Sequence, residues 1–103
     1  MDISKMLTVS TVHITKETAK FIHNVCKDNN LSRLIVYDKS AKYSDCTERY
    51  GWFIYCNVDL QDLQVPEDLL QVMCFARYNH CDWLCLDRDS EVVASKYLDV
   101  YEW

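Results

Sequence analysis

Gly51-Trp52-Phe53-Ile54-Tyr55-Cys56-Asn57-Val58 is the longest unbroken run of strand-forming residues in the chain. Aromatic and β-branched side chains suit a pleated, half-buried surface, so the run reads as the central strand of a sheet. Alternation sends Trp52, Ile54, Cys56 and Val58 to one face and Phe53, Tyr55 and Asn57 to the other. Apolar bulk on both faces predicts that neither is freely solvated. Gly51, the only glycine, stands at the entry, where a bulge or a close backbone approach is least costly.

Working outward, 103 residues make one domain, residues 1–103, with a core but no room for a second. Half the residues are hydrophobic and 26% are charged, a globular composition. No run of about 18 apolar residues exists to form a transmembrane helix. Met1-Asp2-Ile3-Ser4-Lys5 lacks a basic stretch followed by an apolar one, so no secretory signal is expected and a cytoplasmic location is. The six cysteines are then expected as thiols. A net charge of −5 argues against direct nucleic-acid binding, which needs cations to displace counterions. It suits a basic protein partner.

Met6–Val12 reads as a first strand. Thr15 is a good N-cap for a helix from Lys16 to about Asp28, with Ala19, Ile22, Val25 and Cys26 as its apolar stripe. Leu34–Tyr37 reads as a short strand. The polar stretch Asp38–Tyr50 then returns antiparallel into the central strand and is a natural contact loop. Asp59–Val65 is a connection with room for one helical turn. Pro66, Glu67 and Asp68 open a second helix that runs to about Tyr78, with Leu69, Val72, Met73 and Ala76 as its stripe. Leu70, Cys74 and Phe75 make this helix more apolar than one buried face requires. It either lies deep between sheet and loops or forms an interface, including a homodimer. Cys81–Leu86 is a fourth strand, Asp87–Ser90 a turn, Glu91–Ala94 a fifth strand, and Leu98–Trp103 a docked extended segment. The order β-α-β-β-α-β with a C-terminal β extension predicts an α+β two-layer sandwich, ferredoxin-like or similar: a mainly antiparallel sheet with two helices on one face.

Several residue groups could carry chemistry. Cys74, His80, Cys81 and Cys85 have zinc-type donors, but no Cys-x-x-Cys pair, and buried cysteine is common in cores. His13 sits at a strand–helix junction, where an anion could bind, or where a histidine bonds turn backbone. A metal-binding or catalytic protein built on His13 or on the cysteine group is the alternative to a non-enzymatic protein without cofactor. Two acidic groups, Asp59, Asp62, Glu67 and Asp68, then Asp82, Asp87, Asp89 and Glu91, are either solvated surface or a face that occupies a basic, nucleic-acid-binding groove on a partner. Phe53 and Tyr55 would add aromatic contacts.

Two resemblances follow. With Tyr37, Phe53, Tyr55 and Trp83, the run Arg49-Tyr50-Gly51-Trp52-Phe53-Ile54-Tyr55 resembles the RRM signature, which implies stacking of RNA bases. Aligned on Gly51, Phe53 falls where a small residue is expected and Ile54 where an aromatic is. The second covers nearly the whole chain. Thr8-Val9-Ser10-Thr11-Val12-His13-Ile14-Thr15-Lys16-Glu17-Thr18, Gly51–Tyr55, Leu86-Asp87-Arg88-Asp89-Ser90-Glu91-Val92-Val93, and then Leu98, Tyr101 and Trp103, resemble a small uncharacterised domain family of bacterial, phage and plasmid proteins. It carries no known activity. Asp89-Ser90 replaces an expected Asp-Gly turn. The mobile-element context implies a role of the anti-CRISPR or anti-restriction kind, inhibiting a CRISPR effector or nuclease of the host.

Overall fold

The computed structural model describes residues 3–28, 33–38 and 51–102. The contact loop expected between Asp38 and Tyr50 falls, from residue 39 on, outside these, as do Arg49 and Tyr50 of the RRM-like run and Trp103. Four strands and two helices follow one another: β1 (Met6–Val9), α1 (Lys16–Lys27), β2 (Val36–Asp38), β3 (Gly51–Tyr55), α2 (Glu67–Tyr78) and β4 (Trp83–Asp87). Single 3-10 turns, Thr11–His13 and Leu60–Asp62, precede the helices. The expected α+β sandwich forms.

The sheet order is β1-β4-β3-β2. β2 pairs with β3 and β3 with β4 antiparallel, whereas β1 lies parallel to β4, Met6 opposite Trp83. The sheet is thus mixed, and the central strand shares the middle with β4. At the entry of β3, Gly51 lies opposite Asp87, and a Cβ there would overlap the Leu86 carbonyl oxygen. Only glycine permits that approach.

Register sorts the two faces. Leu7, Val9, Trp52, Ile54, Leu84 and Leu86 align across β1, β3 and β4 and turn inward. They meet Ile22 and Val25 of α1 and Leu69, Val72, Met73 and Ala76 of α2, the stripes read from spacing, in one core. The large side chains of this set other than the partly buried Leu7 are buried, and each stabilises the fold by roughly 1.5–3 kcal/mol. Both helices therefore cover the same face.

The helix ends are built from local chemistry. The Thr15 hydroxyl accepts from the Thr18 N–H at 3.2 Å, as an N-cap should. α2 ends in a Schellman motif: His80 N–H donates to the Arg77 carbonyl and Cys81 N–H to that of Ala76, both at 2.9 Å. His80 occupies the left-handed position of that motif, at φ 60°, where glycine is usual.

The fifth strand expected at Glu91–Ala94 does not form, nor do residues 98–102 join the sheet. The segment after β4 is held otherwise. Val93 gives its N–H to the His13 ring at 3.0 Å, Leu98 is buried in the core, and Tyr101 N–H donates to the Val12 carbonyl at 2.8 Å. A backbone donor given to a side chain is lost to a ladder. The C-terminal residues are docked, as expected, but as a strap.

Candidate functional site

Among the described residues no helix packs on the other face of the sheet. Alternation places Met6 and Thr8 of β1, Tyr37 of β2, Phe53 and Tyr55 of β3, and Trp83 and Cys85 of β4 on it. Ile35, whose carbonyl accepts from the Tyr55 N–H at 3.0 Å, extends β2 by one residue and shares this side. Trp83 is the hub. Tyr55 meets it edge-on, centroids 5.0 Å apart at 62°, and Tyr37 lies 6.1 Å away at 36°. Such pairs add about 0.5–1.5 kcal/mol beyond area burial, so the rings hold one another in place. Cys85, between Phe53 and Thr8, is buried, while Tyr37 is 59% exposed and Met6 and Ile35 nearly half so. Among the described strand residues of this face, Asp87 at one end is the only charged one.

The sequence-predicted Phe53 and Tyr55 thus come together with Tyr37 and Trp83. Met6 and Ile35 were missed. Their signal was the parity of their neighbours, since Leu7 and Leu34 read as core.

The acidic residues are not gathered in this way. Asp82 and Asp87 stand at opposite ends of β4. Asp82 pairs with Arg77 at 3.1 Å, and Asp87 accepts from the Asp89 N–H at 2.9 Å within its turn. Asp89 lies 3.7 Å from Arg88. Asp59 caps the 3-10 turn through the Gln61 N–H at 3.1 Å. Asp68 faces inward. Its carboxylate accepts from Thr15 N–H at 2.7 Å and from the buried Thr18 hydroxyl at 2.6 Å, tying the start of α2 to the start of α1. Asp62, Glu67 and Glu91 are exposed.

His13 is fully buried. Its Nδ1 donates to the Asp99 carbonyl at 2.8 Å, and its Nε2 accepts from Val93, which fixes one neutral tautomer. Both ring nitrogens are committed to the strap. Cys74 is exposed on α2, and His80 sits in its C-terminal motif. Cys81 is buried with its thiol 3.6 Å from the Asn79 carbonyl, and Cys85 lies on the sheet face away from the helices. Among the described residues no three His, Cys, Asp or Glu side chains converge to hold a metal ion. Burial pushes the Cys56 thiol up to about 12, against a smaller lowering by Arg77. Such a group stays protonated and inert.

Fold and surface define a small α+β domain with helices on one sheet face and an aromatic cluster on the other. The chain belongs to a family of unknown function, DUF5983, whose C-terminal domain matches residues 6–103. No curated protein and no solved structure matches it. Among the described residues no helix is long and apolar enough to cross a membrane.

Proposed function

We propose that this is a non-enzymatic binding domain whose aromatic sheet face docks a basic protein. The observation that carries the reading is the grouping of Tyr37, Phe53, Tyr55 and Trp83 on one nearly uncharged face. Buried interface centres favour aromatic residues and are depleted in charge. The net charge of −5 favours a basic partner and speeds the encounter, with exposed Asp62, Glu67 and Glu91 as its most available carriers. The narrower form of the proposal names the partner as the nucleic-acid-binding surface of a host defence complex, a CRISPR effector or nuclease, met in the cytoplasm. That form rests on charge and on the mobile-element context of the sequence resemblance.

The test is capture from bacterial lysate by tagged wild type and by Tyr37→Ala. Tyr37 is exposed enough that its loss leaves the fold intact. A basic protein held stoichiometrically by wild type and lost from Tyr37→Ala supports the proposal. A partner held equally by both overturns the assignment of the face.

The same aromatic platform also favours a second reading, stacking of single-stranded RNA bases. Its mark is salt-sensitive binding of single-stranded oligonucleotides that Tyr37→Ala abolishes.

A further inference from the structure

Leu70, Cys74 and Phe75, the apolar residues of α2 beyond its buried stripe, lie on its outer side: Cys74 is exposed and the other two are half-buried. The buried residues of this helix are Leu69, Val72, Met73 and Ala76, and helical spacing turns Leu70, Cys74, Phe75 and Tyr78 away from them. Between Asp68 and Arg77 the helix carries no charge on any side. α1 shows what a solvated helix face of this domain looks like: its exposed residues are Lys16, Glu17, Lys20, Asn24 and Lys27. Those of α2 are Glu67, Cys74 and Tyr78. Tyr97 of the strap widens the patch. Its ring leans on that of Tyr78, with centroids 6.4 Å apart, and both side chains are more than half exposed. Cys74, a small residue in the middle of the stripe, lines a groove of about 320 Å³ beside them. A contiguous apolar patch of this kind marks an interaction surface.

The patch fits a second copy of itself. Leu70, Cys74 and Tyr78 follow one another at intervals of four residues, a ridge of the kind that interlocks when two helices pack. Charge selects the direction. Exposed Glu67 stands in the first turn of α2. At the other end, exposed Lys96 holds its ammonium 5.1 Å from the centre of the Tyr97 ring, and so close to Tyr78. A parallel pair of α2 helices would set Glu67 against Glu67. An antiparallel pair about a two-fold axis sets each Glu67 toward the partner's Lys96 and opposes the helix dipoles. We propose that the outer face of α2, with Tyr97, is a two-fold antiparallel interface between two copies of this chain. The helix face is roughly 16 Å long and 10 Å wide, less than a permanent interface needs, so the dimer is weak and exchanges with the monomer. It lies on the far side of the molecule from the aromatic sheet face, so a dimer built this way carries two such faces, both turned outward.

The test is the oligomeric state of the full chain, followed by sedimentation equilibrium and by amide chemical shifts from micromolar to millimolar protein. The mean mass rises toward that of two chains, and the shifts that move with concentration centre on Leu70, Cys74, Phe75, Tyr78 and Tyr97. Cys74→Arg, at an exposed position, keeps the fold and weakens the dimer at least about tenfold, because it places an unpaired charge in the interface. Glu67→Lys is the sharper variant. It reduces the net charge of −5, so general repulsion between copies falls, yet it sets like charges against each other twice in every dimer. The dimer weakens by roughly 5- to 30-fold at low salt. Adding Lys96→Glu restores the wild-type constant to within about threefold, which a mere loss of helix stability would not allow. Tyr37→Ala changes none of this, which separates the result from the fate of the sheet-face reading. A chain that stays monomeric at millimolar concentration overturns the proposal. So does a dimer whose moving shifts lie on the sheet face, or one that Glu67→Lys leaves unchanged or tightens. A different protein held on α2 by a monomeric chain assigns the patch to that partner, with the same consequence.

Discussion

Replacing Asp68 by alanine removes one carboxylate and strands two donors. The Thr15 N–H, 2.7 Å away, is half-exposed and water can reach it. The Thr18 hydroxyl, 2.6 Å away, is on a residue only 1% exposed, out of reach of water, and its remaining acceptor is the Thr15 hydroxyl at a longer 3.1 Å. Hydrogen bonds to charged groups contribute about 1.5–3 kcal/mol each, and the half-exposed one belongs at the lower end. The expected loss is therefore about 3–4 kcal/mol, a large part of the 5–15 kcal/mol typical of a domain. At roughly 4–8 °C per kcal/mol for a chain near this size, Tm falls by at least about 12 °C. Asp68→Asn keeps a carbonyl acceptor and loses about half as much. Urea unfolding followed by the fluorescence of buried Trp52 measures both. A cycle with Thr18→Val isolates the hydroxyl–carboxylate pair, with an expected coupling of about 1.5–2 kcal/mol. A loss below about 1 kcal/mol for Asp68→Ala, or additivity within about 0.5 kcal/mol in the cycle, refutes the reasoning. Partner binding lost at unchanged stability would return Asp68 to the surface role that its position in an acidic run suggested.

Further outcomes are expected elsewhere. Gly51→Ala drives a methyl group into the Leu86 carbonyl and costs about 1–3 kcal/mol, read by the same unfolding curve. His80→Gly relieves a left-handed residue and stabilises by about 0.5–1 kcal/mol; destabilisation would give the His80 side chain a structural role. His13→Phe removes both ring bonds to the strap, so hydrogen exchange at Val93 and Tyr101 speeds up and stability falls by about 2–3 kcal/mol. Cys56 has a folded pKa raised from 9.0 to about 12, so its contribution is complete below pH 9 and is lost as pH rises from 9 toward 12. Tyr101 is shifted the same way, by burial first and then by Asp99, and adds to the loss. Alkaline unfolding curves should stay level to about pH 9 and then fall. In native protein, thiol reagents should label Cys74 well before Cys56.

Much of the fold was legible because it is written in short-range spacing. The α2 stripe Leu69, Val72, Met73 and Ala76 and the inward set Trp52, Ile54 and Cys56 obey their periods and are buried as read. Thr15 caps α1 because its chemistry requires only three residues downstream. What lay beyond reach depends on residues distant in the chain. Nothing near Thr8 says that it lies opposite Cys85. Glu91–Ala94 has no local mark of the His13 ring that diverts its backbone. Which face of β3 the helices would take was equally hidden, and with it the aromatic cluster. Asp68 read as a surface acid because its two partners lie on another helix.

The parallel pairing of β1 with β4 bears on how the chain reaches its native state. Met6 is made early and its neighbour Trp83 late, so the first strand has no place in the sheet until almost the whole domain exists. β2, β3 and the turn between α2 and β4 close shorter loops. Closing a long loop costs entropy before its contacts repay anything, and topologies of this kind fold slowly. Until β1 arrives, Leu84 and Leu86 present an apolar strand edge with its ladder unfilled, the state most open to pairing with the wrong chain. Conditions that lengthen that interval, such as low temperature or a destabilised β4, should lower the yield of folded protein before they lower its stability.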